Sequence, residues 1–523
     1  MRRALRVLAV LPYLALTLPF AGTVPIWDAR EYTDCIEAAV RMPISPAVFN
    51  CAGHPTIAWA AIMSALAWFA PARFWPLLLV SVAIGVVGLL AFHDLVLALF
   101  PDAEIEALLL TACLGVFPVV VAGTVDVNPD HGVLMFFLIV LRALVREKPR
   151  QAALAGLLLV FSKEPGVLLY CLAVGLWVLL FVTRRAGTPE EKARRLLRDW
   201  RLAAPLLAFG IYLVSASLHG FDPFWQDVSG RKPLLETFTT FRIDQAFLAQ
   251  MLGIFVLQFA WVLTLLALFR WVRMAARAAF AIGPPETPAL LFCDLLLLLA
   301  TLLLTRYQTF LNLRYYLALV PLLLVCGLAG LRQVSGARLP RLAVLGALAL
   351  LFAVSSLRTV DPLSKAAMGT IRFGDHEMLD MTRLTGECCG HGRDQIAYNL
   401  EHLHLHDLED MFLADMHAHG TRALAAAGGA DHHTVGRVSA LTLRRMLTAE
   451  DSLLPQVWTA DGLLEGPRPQ RLAFLRYFFI DSGTDEARLR AWYRQLGERT
   501  YDVGGYTLTV ADYALREPGT TRK

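Results

Sequence analysis

The sequence predicts an α-helical membrane protein that crosses the bilayer about eleven times and ends in a small soluble α/β domain. Three observations lead to this fold class. Hydrophobic residues make up 56% of the 523 residues and charged residues only 18%, whereas soluble proteins carry about 25% charged residues. Apolar runs long enough to cross a membrane recur as far as residue 357, and the composition becomes polar after that point.

The apolar runs predict the individual spans. A helix needs about 20 apolar residues to cross a hydrocarbon layer of about 30 Å. We predict spans near residues 6–24, 74–99, 104–123, 132–145, 150–162, 165–182, 202–218, 246–269, 288–305, 314–331 and 341–357. The first run also has features of a cleavable signal peptide, but the many spans after it favour an uncleaved helix. The shorter apolar segment 56–70 predicts a helix along the membrane surface.

The basic residues predict the orientation of these spans. Lys and Arg cluster in five segments that all fall on one side of the predicted spans, namely 2–6, 146–150, 184–201, 270–277 and 332–341. The positive-inside rule makes that side cytoplasmic. Eleven spans then place the C-terminus on the outer, periplasmic side of a cytoplasmic membrane.

The polar C-terminal part predicts a domain of its own, residues 359–523, after a transmembrane domain of residues 1–358. Strand-like and helical runs alternate along it, which is typical of an α/β domain. The strand-like runs are Asp394–Leu400, Arg471–Ile480 and Tyr506–Ala514, and the helical runs are Ser439–Thr448 and Asp485–Gly497.

Six of the eight cysteines divide by environment, and the other two, Cys388 and Cys389, lie in the C-terminal part. Cys35 and Cys51 both fall in the first outer loop, where an oxidising compartment permits a disulfide bond between them. Two free thiols are the alternative. Four others lie in apolar spans and are expected to be packing residues: Cys113, Cys171, Cys293 and Cys326.

Acidic residues return to the outer side in two places. Asp28 and Glu31 follow the first span in W-D-A-R-E-Y, and on a helix they would share one face. Asp126 and Asp130 flank Asn-Pro in the second outer loop. Carboxylates at such a place can remove a proton from an acceptor hydroxyl or amine, or hold a divalent cation. The alternatives are ordinary interfacial acids in the first stretch and a helix cap in the second.

Basic residues fall on the same side. Lys163 sits between two apolar runs in F-S-K-E-P-G, where it suits a lipid phosphate unless Glu164 neutralises it. Arg306 and Arg314 bracket the loop R-Y-Q-T-F-L-N-L-R-Y-Y, and arginine holds phosphate by a planar two-pronged contact. Interfacial anchoring together with the tyrosines is the alternative for both arginines. Asp294 lies inside a predicted span near its cytoplasmic start, which favours pairing with a neighbour.

Several function classes find no support. The sequence has no Walker loop, dinucleotide fingerprint, nucleophile elbow or H-E-x-x-H helix, and no basic-aromatic patch indicates nucleic acid. His402, His404 and His406 would share one face of a strand, as metal ligands can, but a solvated face is the simpler interpretation. A transporter or flippase would have paired halves with polar groups at mid-membrane, and a non-catalytic scaffold would leave Asp28 and Lys163 replaceable.

The outer motifs, taken in order, resemble those of the polytopic glycosyltransferases with the C-type (GT-C) fold, and particularly the protein O-mannosyltransferase and lipid A aminoarabinose transferase group. The resemblance covers roughly residues 6–330. It rests on W-D-A-R-E-Y, on His54-Pro55 before the surface helix, on D-V-N-P-D, on K-E-P-G and on R-Y-Y-L-x-L-x-P. The sequence departs from the family where Ala29 and Arg30 separate the first-loop acids and where one proline follows His54.

The resemblance implies an enzyme that takes a sugar from a polyprenyl-phosphate donor at the outer leaflet and passes it to a lipid, glycan or protein acceptor. By position, Asp28 would be the general base with Glu31 beside it, and Asp126 or Asp130 would be the second-loop acid. The implied substrate-binding residues are His54, Lys163, Arg306, Arg314 and Tyr315. Besides the donor, acceptor and membrane lipid no partner is implied, and the sole candidate cofactor is a divalent cation.

Overall fold

The computed structural model covers the whole chain, and not every residue in it is described. The described residues are 2–20, 32–33, 35–36, 39–40, 54–67, 75–183, 188, 190–191, 199–218, 248, 251–252, 255–257, 259–280, 287–307, 313–357, 362–373, 376–379, 411, 415, 418–419, 423–426, 456–459, 468–477, 483–503 and 506–516. Asp28, Glu31 and Cys51 therefore lie outside them, as do residues 402–406.

Helices form nearly all of the described structure up to residue 357. They are α1 (Arg2–Thr17), α2 (Ile57–Ala67), α3 (Trp75–Leu99), α4 (Glu104–Gly115), α5 (Pro118–Val125), α6 (Pro129–Val145), α7 (Pro149–Val160), α8 (Glu164–Trp177), α9 (Ala204–Leu218), α10 (Ala260–Phe280), α11 (Pro288–Tyr307), α12 (Val320–Val334) and α13 (Arg338–Leu357). A π-helical turn, Val178–Thr183, continues α8, and a 3₁₀ segment, Leu313–Leu319, precedes α12.

These helices confirm a multi-pass membrane protein. In the described part of the chain, six helical segments are long and apolar enough to span a bilayer, and a seventh follows if α4 and α5, bent by 55°, form one span. Helix is present in every segment for which a span was predicted, although α10 begins at Ala260 rather than near residue 246. The count of eleven spans stays a prediction.

Tight turns join α5 to α6 and α6 to α7. In each turn the residue after the helix C-cap has a positive φ, 54° at Val127 and 53° at Glu147. The following amide then donates back to the preceding helix, from Asn128 to the Gly123 carbonyl at 3.0 Å and from Lys148 to the Ala143 carbonyl at 2.8 Å. This is the Schellman arrangement, in which glycine is the usual left-handed residue.

Proline begins the next helix after both turns. Pro129 and Pro149 occupy the first helical positions of α6 and α7, where the missing N–H would have no partner within the helix. The tight turn between the predicted spans 132–145 and 150–162 is therefore built from a Schellman helix end followed by a proline helix start.

A close backbone approach fixes α8 against α7. A Cβ atom at Gly166 would lie 2.2 Å from the carbonyl oxygen of Leu159. No real side chain tolerates that distance, so glycine is required for α8 to begin where it does. This contact sets the position of the α7–α8 turn, which carries Lys163 and Glu164.

The charge inside a predicted span belongs to a buried ion pair. Arg270 on α10 donates to both carboxylate oxygens of Asp294 on α11, at 3.1 and 2.6 Å. The Trp271 indole also donates to Asp294, at 3.1 Å. Pairing with a neighbour, the interpretation that the sequence favoured for Asp294, is confirmed.

The C-terminal part contains a mixed five-stranded sheet in the order β4-β3-β5-β7-β6. Its strands are β3 (Ala423–Ala426), β4 (Gln456–Thr459), β5 (Arg471–Tyr477), β6 (Tyr493–Val503) and β7 (Tyr506–Leu515), after a hairpin of β1 (Thr370–Phe373) and β2 (His376–Leu379). β3 pairs in parallel with β4 and β5, whereas β7 pairs antiparallel with β5 and β6. The short helices α14 (Pro362–Met368) and α15 (Gly483–Trp492) complete this part.

Two of the strand predictions are confirmed and one helix prediction is partly wrong. β5 and β7 occupy the runs predicted as strands. The helix predicted over Asp485–Gly497 ends at Trp492, because residues from Tyr493 onward pair with β7 along its length. The runs at Asp394–Leu400 and Ser439–Thr448 lie outside the described residues, and the domain boundary near residue 358 stays a prediction.

The cysteines agree with the predicted environments except for Cys171, which is exposed instead of packed in the interior. Cys35 is disulfide-bonded, and its partner lies outside the described residues, since the four other described cysteines are free. Of those four, Cys113, Cys293 and Cys326 are buried and Cys171 is exposed.

Candidate active site

Four segments bring polar side chains together at one end of the helices. They are the α5–α6 turn with Asp126 and Asp130, the α7–α8 turn with Lys163 and Glu164, the chain before α2 with His54, and the 3₁₀ segment with Arg314 and Tyr315. The first three segments are helix ends whose proline or glycine fixes the turn. Residues far apart in the chain meet there.

Asp130 and Lys163 form a buried ion pair at the centre of this site. The Lys163 Nζ lies 2.9 Å from the Asp130 Oδ2, and the two side chains are only 2% and 4% exposed. Lys163 is the extended residue directly before α8. A buried ammonium is stable only with such a partner.

A second cation and an aromatic ring adjoin the pair. The Arg314 Nε lies 3.7 Å from the same Asp130 oxygen, and its Nη2 donates to the Tyr315 hydroxyl at 3.3 Å. The Tyr315 ring centroid is 4.9 Å from the Lys163 Nζ and 5.2 Å from the Arg314 guanidinium carbon. Two cations and one carboxylate sum to a charge of +1, and cation–π contacts with one ring hold both cations near each other.

His54 and Glu164 form a second buried pair beside the first. The His54 Nδ1 lies 2.8 and 2.9 Å from the two carboxylate oxygens of Glu164. Since an ionised carboxylate only accepts hydrogen bonds, Nδ1 carries the hydrogen. The sequence left open whether Glu164 neutralises Lys163; instead Lys163 pairs with Asp130 and Glu164 with His54.

This second pair connects the first outer loop to the site. Tyr32, which directly follows Glu31, lies with its ring centroid 6.3 Å from that of His54. On the other side of His54, the Ala58 amide donates to the Phe161 carbonyl at 2.9 Å. Tyr32 of the first outer loop thus lies beside His54, and the start of α2 is held against the end of α7.

The α5–α6 turn that carries the second-loop acids is strained and capped. Asn128, rather than either aspartate, is the N-cap of α6, and its side-chain oxygen accepts the Asp130 amide at 3.0 Å. The cap interpretation of the acids is therefore wrong, and the Asp130 carboxylate is available to Lys163. Asp126 is the buried C-cap residue of α5. Val127 between them is β-branched and adopts a positive φ, which is unfavourable away from a functional or tightly determined site.

A buried polar network lies directly behind this turn. Tyr13 donates to the Thr124 hydroxyl at 3.1 Å, and that hydroxyl lies 3.2 Å from the His131 Nδ1. The His131 Nε2 donates to the Ser81 carbonyl at 3.1 Å. The network ties α1, α3, α5 and α6 together next to Asp130. The network was not predicted from the sequence, although Tyr13 and Ser81, polar residues inside predicted apolar spans, were a usable signal.

The remaining predicted site residues are less well located. Asp28 and Glu31 lie outside the described residues. Arg306 is half-buried in the last turn of α11, before the loop that leads to Arg314. Among the described residues no group of three or more His, Cys, Asp or Glu side chains is arranged to hold a metal ion.

Comparison with known proteins identifies the fold. No protein-family model and no curated protein sequence matches this chain. Among solved structures it resembles ArnT from Cupriavidus metallidurans bound to undecaprenyl phosphate, at 13% identity and a TM-score of 0.54 over 97% of each chain. It also resembles the apo state of that protein, at 14% identity and a TM-score of 0.53 over 96% of this chain and 97% of the other.

The chain has the GT-C fold of ArnT. This confirms the fold resemblance drawn from the outer motifs. The structural likeness also extends beyond residues 6–330, because it includes nearly all of the C-terminal part. ArnT is a lipid A aminoarabinose transferase, and the candidate spans of this chain fit a multi-pass membrane protein.

Proposed function

We propose that this protein is a membrane glycosyltransferase that moves a sugar from a polyprenyl-phosphate donor to an acceptor on the outer face of the cytoplasmic membrane. The observation that carries the proposal is the cluster of Lys163, Arg314 and Tyr315 around Asp130. It holds two cations against one carboxylate at the end of the helices. The fold shared with ArnT, which has been solved with undecaprenyl phosphate, supports a lipid phosphate as the group that this cluster binds.

The cations act on the leaving group. Negative charge grows on the donor phosphate as the bond to the sugar breaks, and fixed cations stabilise that charge without reorganising. Arg314 is the first candidate to contact the phosphate, since it lies 3.7 Å from Asp130 and is more exposed than Lys163. Lys163, which is more deeply buried, adds a second positive charge. Arg306, Tyr315 and His54 are the other proposed substrate-binding residues.

The base is proposed to be a carboxylate of the first outer loop. Asp130 is already engaged by Lys163 at 2.9 Å, and the Arg314 Nε lies 3.7 Å from the same carboxylate oxygen. Asp130 therefore suits the task of positioning Lys163, with Asp126 in the same turn. This leaves Asp28 as the proposed general base for the acceptor, oriented by Glu31.

A transporter or flippase is a weaker alternative. It would place its polar groups in the middle of the membrane, where broken helices form a substrate path. The described cluster lies instead at helix ends, and the one ion pair described above within a span, Arg270–Asp294, is buried and satisfied. The identity of the sugar, including whether it is a hexose or a pentose, and of the acceptor is left to the assay.

Donor binding tests the phosphate site. Arg314→Gln should weaken binding of undecaprenyl phosphate at least tenfold, because a hydrogen bond to a charged group is worth about 1.5–3 kcal/mol. Arg338→Gln is the matched control, since it removes the same charge from an exposed position at the start of α13. Equal affinity in both variants and the unaltered protein would place the phosphate elsewhere.

Transfer activity tests the base. The purified protein should be incubated with a panel of labelled polyprenyl-phosphate sugars and candidate acceptors. Asp28→Asn should reduce transfer about 10²- to 10⁴-fold, the usual contribution of a general base, while donor binding persists. Full transfer by this variant would move the base to Asp126 or Asp130, and binding without transfer from any donor would argue against the enzyme.

A further inference from the structure

A second charged cluster lies at the other end of α6. Asp130 is in the first turn of this 17-residue helix, Arg142 is in its last turn and Arg146 is its C-cap, so the two clusters lie roughly 18–24 Å apart along the helix. That distance approaches the thickness of the hydrocarbon layer. The second cluster therefore faces the leaflet opposite the candidate active site.

Three arginines from two helices converge there on one aspartate of a third. The Arg6 Nη2 donates to the Asp94 Oδ2 at 2.8 Å, and the Arg142 Nε donates to the same oxygen at 3.1 Å. The Arg146 Nη2 donates to the Asp94 backbone carbonyl at 3.2 Å. We call Arg6, Asp94, Arg142 and Arg146 the Asp94 cluster; it joins α1, α3 and α6.

The Asp94 cluster carries a net positive charge, and most of its hydrogen-bond donors are not engaged by other residues of the cluster. Three arginines and one aspartate sum to +2. Each guanidinium has five N–H donors, and in the described part of the chain each makes one hydrogen bond. The Arg6 and Arg142 side chains are 41% and 26% exposed, so an external anion can reach them.

Two further features bear on the ligand. His93, the neighbour of Asp94, is only 2% exposed, and neither of its ring nitrogens has a hydrogen-bond partner among the described residues. Exposed apolar side chains also follow Arg6 along α1: Val7, Leu8 and Leu11 are 59%, 49% and 46% exposed. An anion site next to exposed apolar surface fits an amphiphile with a charged head and acyl chains.

We propose that the Asp94 cluster binds the phosphodiester of an anionic glycerophospholipid, with the acyl chains along the exposed face of α1. Basic pockets between transmembrane helices on the cytoplasmic side are known to hold such headgroups. The site is separate from the proposed donor site, because it lies at the opposite end of α6. Lipid binding at this site requires no sugar transfer, so the proposal does not depend on the proposed function.

Lipid retention in the full-length protein tests this site. The purified protein in neutral detergent is mixed with equal amounts of phosphatidylglycerol and phosphatidylcholine, and bound lipid is counted by native mass spectrometry. We expect preferential retention of phosphatidylglycerol. Each basic side chain near an anionic lipid contributes a factor of about five in affinity, so Arg142→Gln/Arg146→Gln should reduce the preference roughly 25-fold. This variant keeps the Arg6–Asp94 pair.

Controls separate the proposal from general electrostatics and from binding of free phosphate. Arg338→Gln removes a charge elsewhere on the chain and should leave the preference unchanged. Excess inorganic phosphate should not displace the lipid. If the double variant does not fold, Arg6→Gln is the substitute, because the Arg6 side chain is more exposed than that of Arg142. It should lower the preference for phosphatidylglycerol about fivefold. Equal retention of the two lipids, an equal loss in Arg338→Gln, or displacement by phosphate would each overturn the proposal.

Discussion

At the scale of single residues, the site depends on how four buried polar side chains pair with each other. Lys163 pairs with Asp130, 33 positions away in the chain, and Glu164 pairs with His54, 110 positions away. Lys163 and Glu164, which are adjacent in the α7–α8 turn, thus hold the second and the first outer loop, respectively. The sequence identified Lys163 and Asp130 as candidates, but it left open whether Glu164 neutralises Lys163.

The strain at Val127 predicts which of two substitutions there, Gly or Ala, gives the more stable protein. A left-handed conformation costs a non-glycine residue about 1–2 kcal/mol, and Val127 has a φ of 54°. Ala and Gly both remove the buried side chain, but only Gly also relieves the strain. Val127→Gly should therefore be more stable than Val127→Ala by about 1 kcal/mol, as measured by thermal unfolding in detergent.

The control for this prediction is Val125, which is the last residue of α5 and is also buried. Ala normally stabilises a helix relative to Gly by about 1 kcal/mol, so Val125→Ala should be more stable than Val125→Gly. The same order at both positions would show that the conformation of Val127 carries no strain.

The contacts of Asp415 predict that the stability of the C-terminal part depends on pH. Arg499 donates to its two oxygens at 2.7 and 3.0 Å, and the Tyr501 hydroxyl donates as well. Burial raises the pKa of Asp415, but the hydrogen bonds from Arg499 and Tyr501 outweigh burial and lower it below its usual range. Because the folded pKa lies below the unfolded value of about 3.9, Asp415 stabilises the fold above that pH and loses this contribution as the pH falls further.

Substitution tests that dependence. Asp415→Asn should unfold more readily than the unaltered protein at pH 7, and the gap between the two melting temperatures should narrow as the pH falls below about 4. Differential scanning fluorimetry of the full chain across this range provides the measurement. A gap that stays constant with pH would mean that Asp415 has an ordinary pKa in the folded protein.

At the scale of elements, the contact between α7 and α8 decides where Lys163 and Glu164 lie. Gly166→Ala should lower the melting temperature by several degrees and weaken donor binding, because its Cβ would meet the Leu159 carbonyl oxygen at 2.2 Å. Gly175→Ala, on the same helix with nothing within 4 Å, should be neutral or slightly stabilising. Thermal unfolding of both variants checks this, and equal melting temperatures would exclude a tight α7–α8 contact.

The helix boundaries were predictable to different degrees. Proline marked the starts of α6 and α7 in the sequence, because it favours the first turn of a helix and ends the one before. The left-handed residues that end α5 and α6 were not predictable, since Val and Glu rarely adopt that conformation. Similarly, the residues after Trp492 that were predicted as helix form the start of β6, because pairing with β7 overrides a local helical preference.

At the scale of the whole molecule, the number of spans decides which side holds the C-terminal domain. Eleven or seven spans would place residue 357 on the side opposite the N-terminus, whereas six would place both on the same side. We expect the first arrangement. A reporter that is active only in the cytoplasm should be silent when fused after Leu357 and active when inserted at Thr188, in a predicted cytoplasmic segment. Activity at both positions would contradict the predicted orientation.

The sequence by itself determined the membrane class, the helical segments, two strands of the C-terminal sheet and the candidate residues Asp130, Lys163 and Arg314. These follow from hydrophobicity, turn residues and charge type, which are local properties of the chain. Only the tertiary structure decided that Asp130 holds Lys163, that Glu164 holds His54, and that Asn128 serves as the cap. Partners of buried charges are set by contacts between distant segments, because a low-dielectric interior makes every unpaired charge expensive wherever its partner lies in the chain.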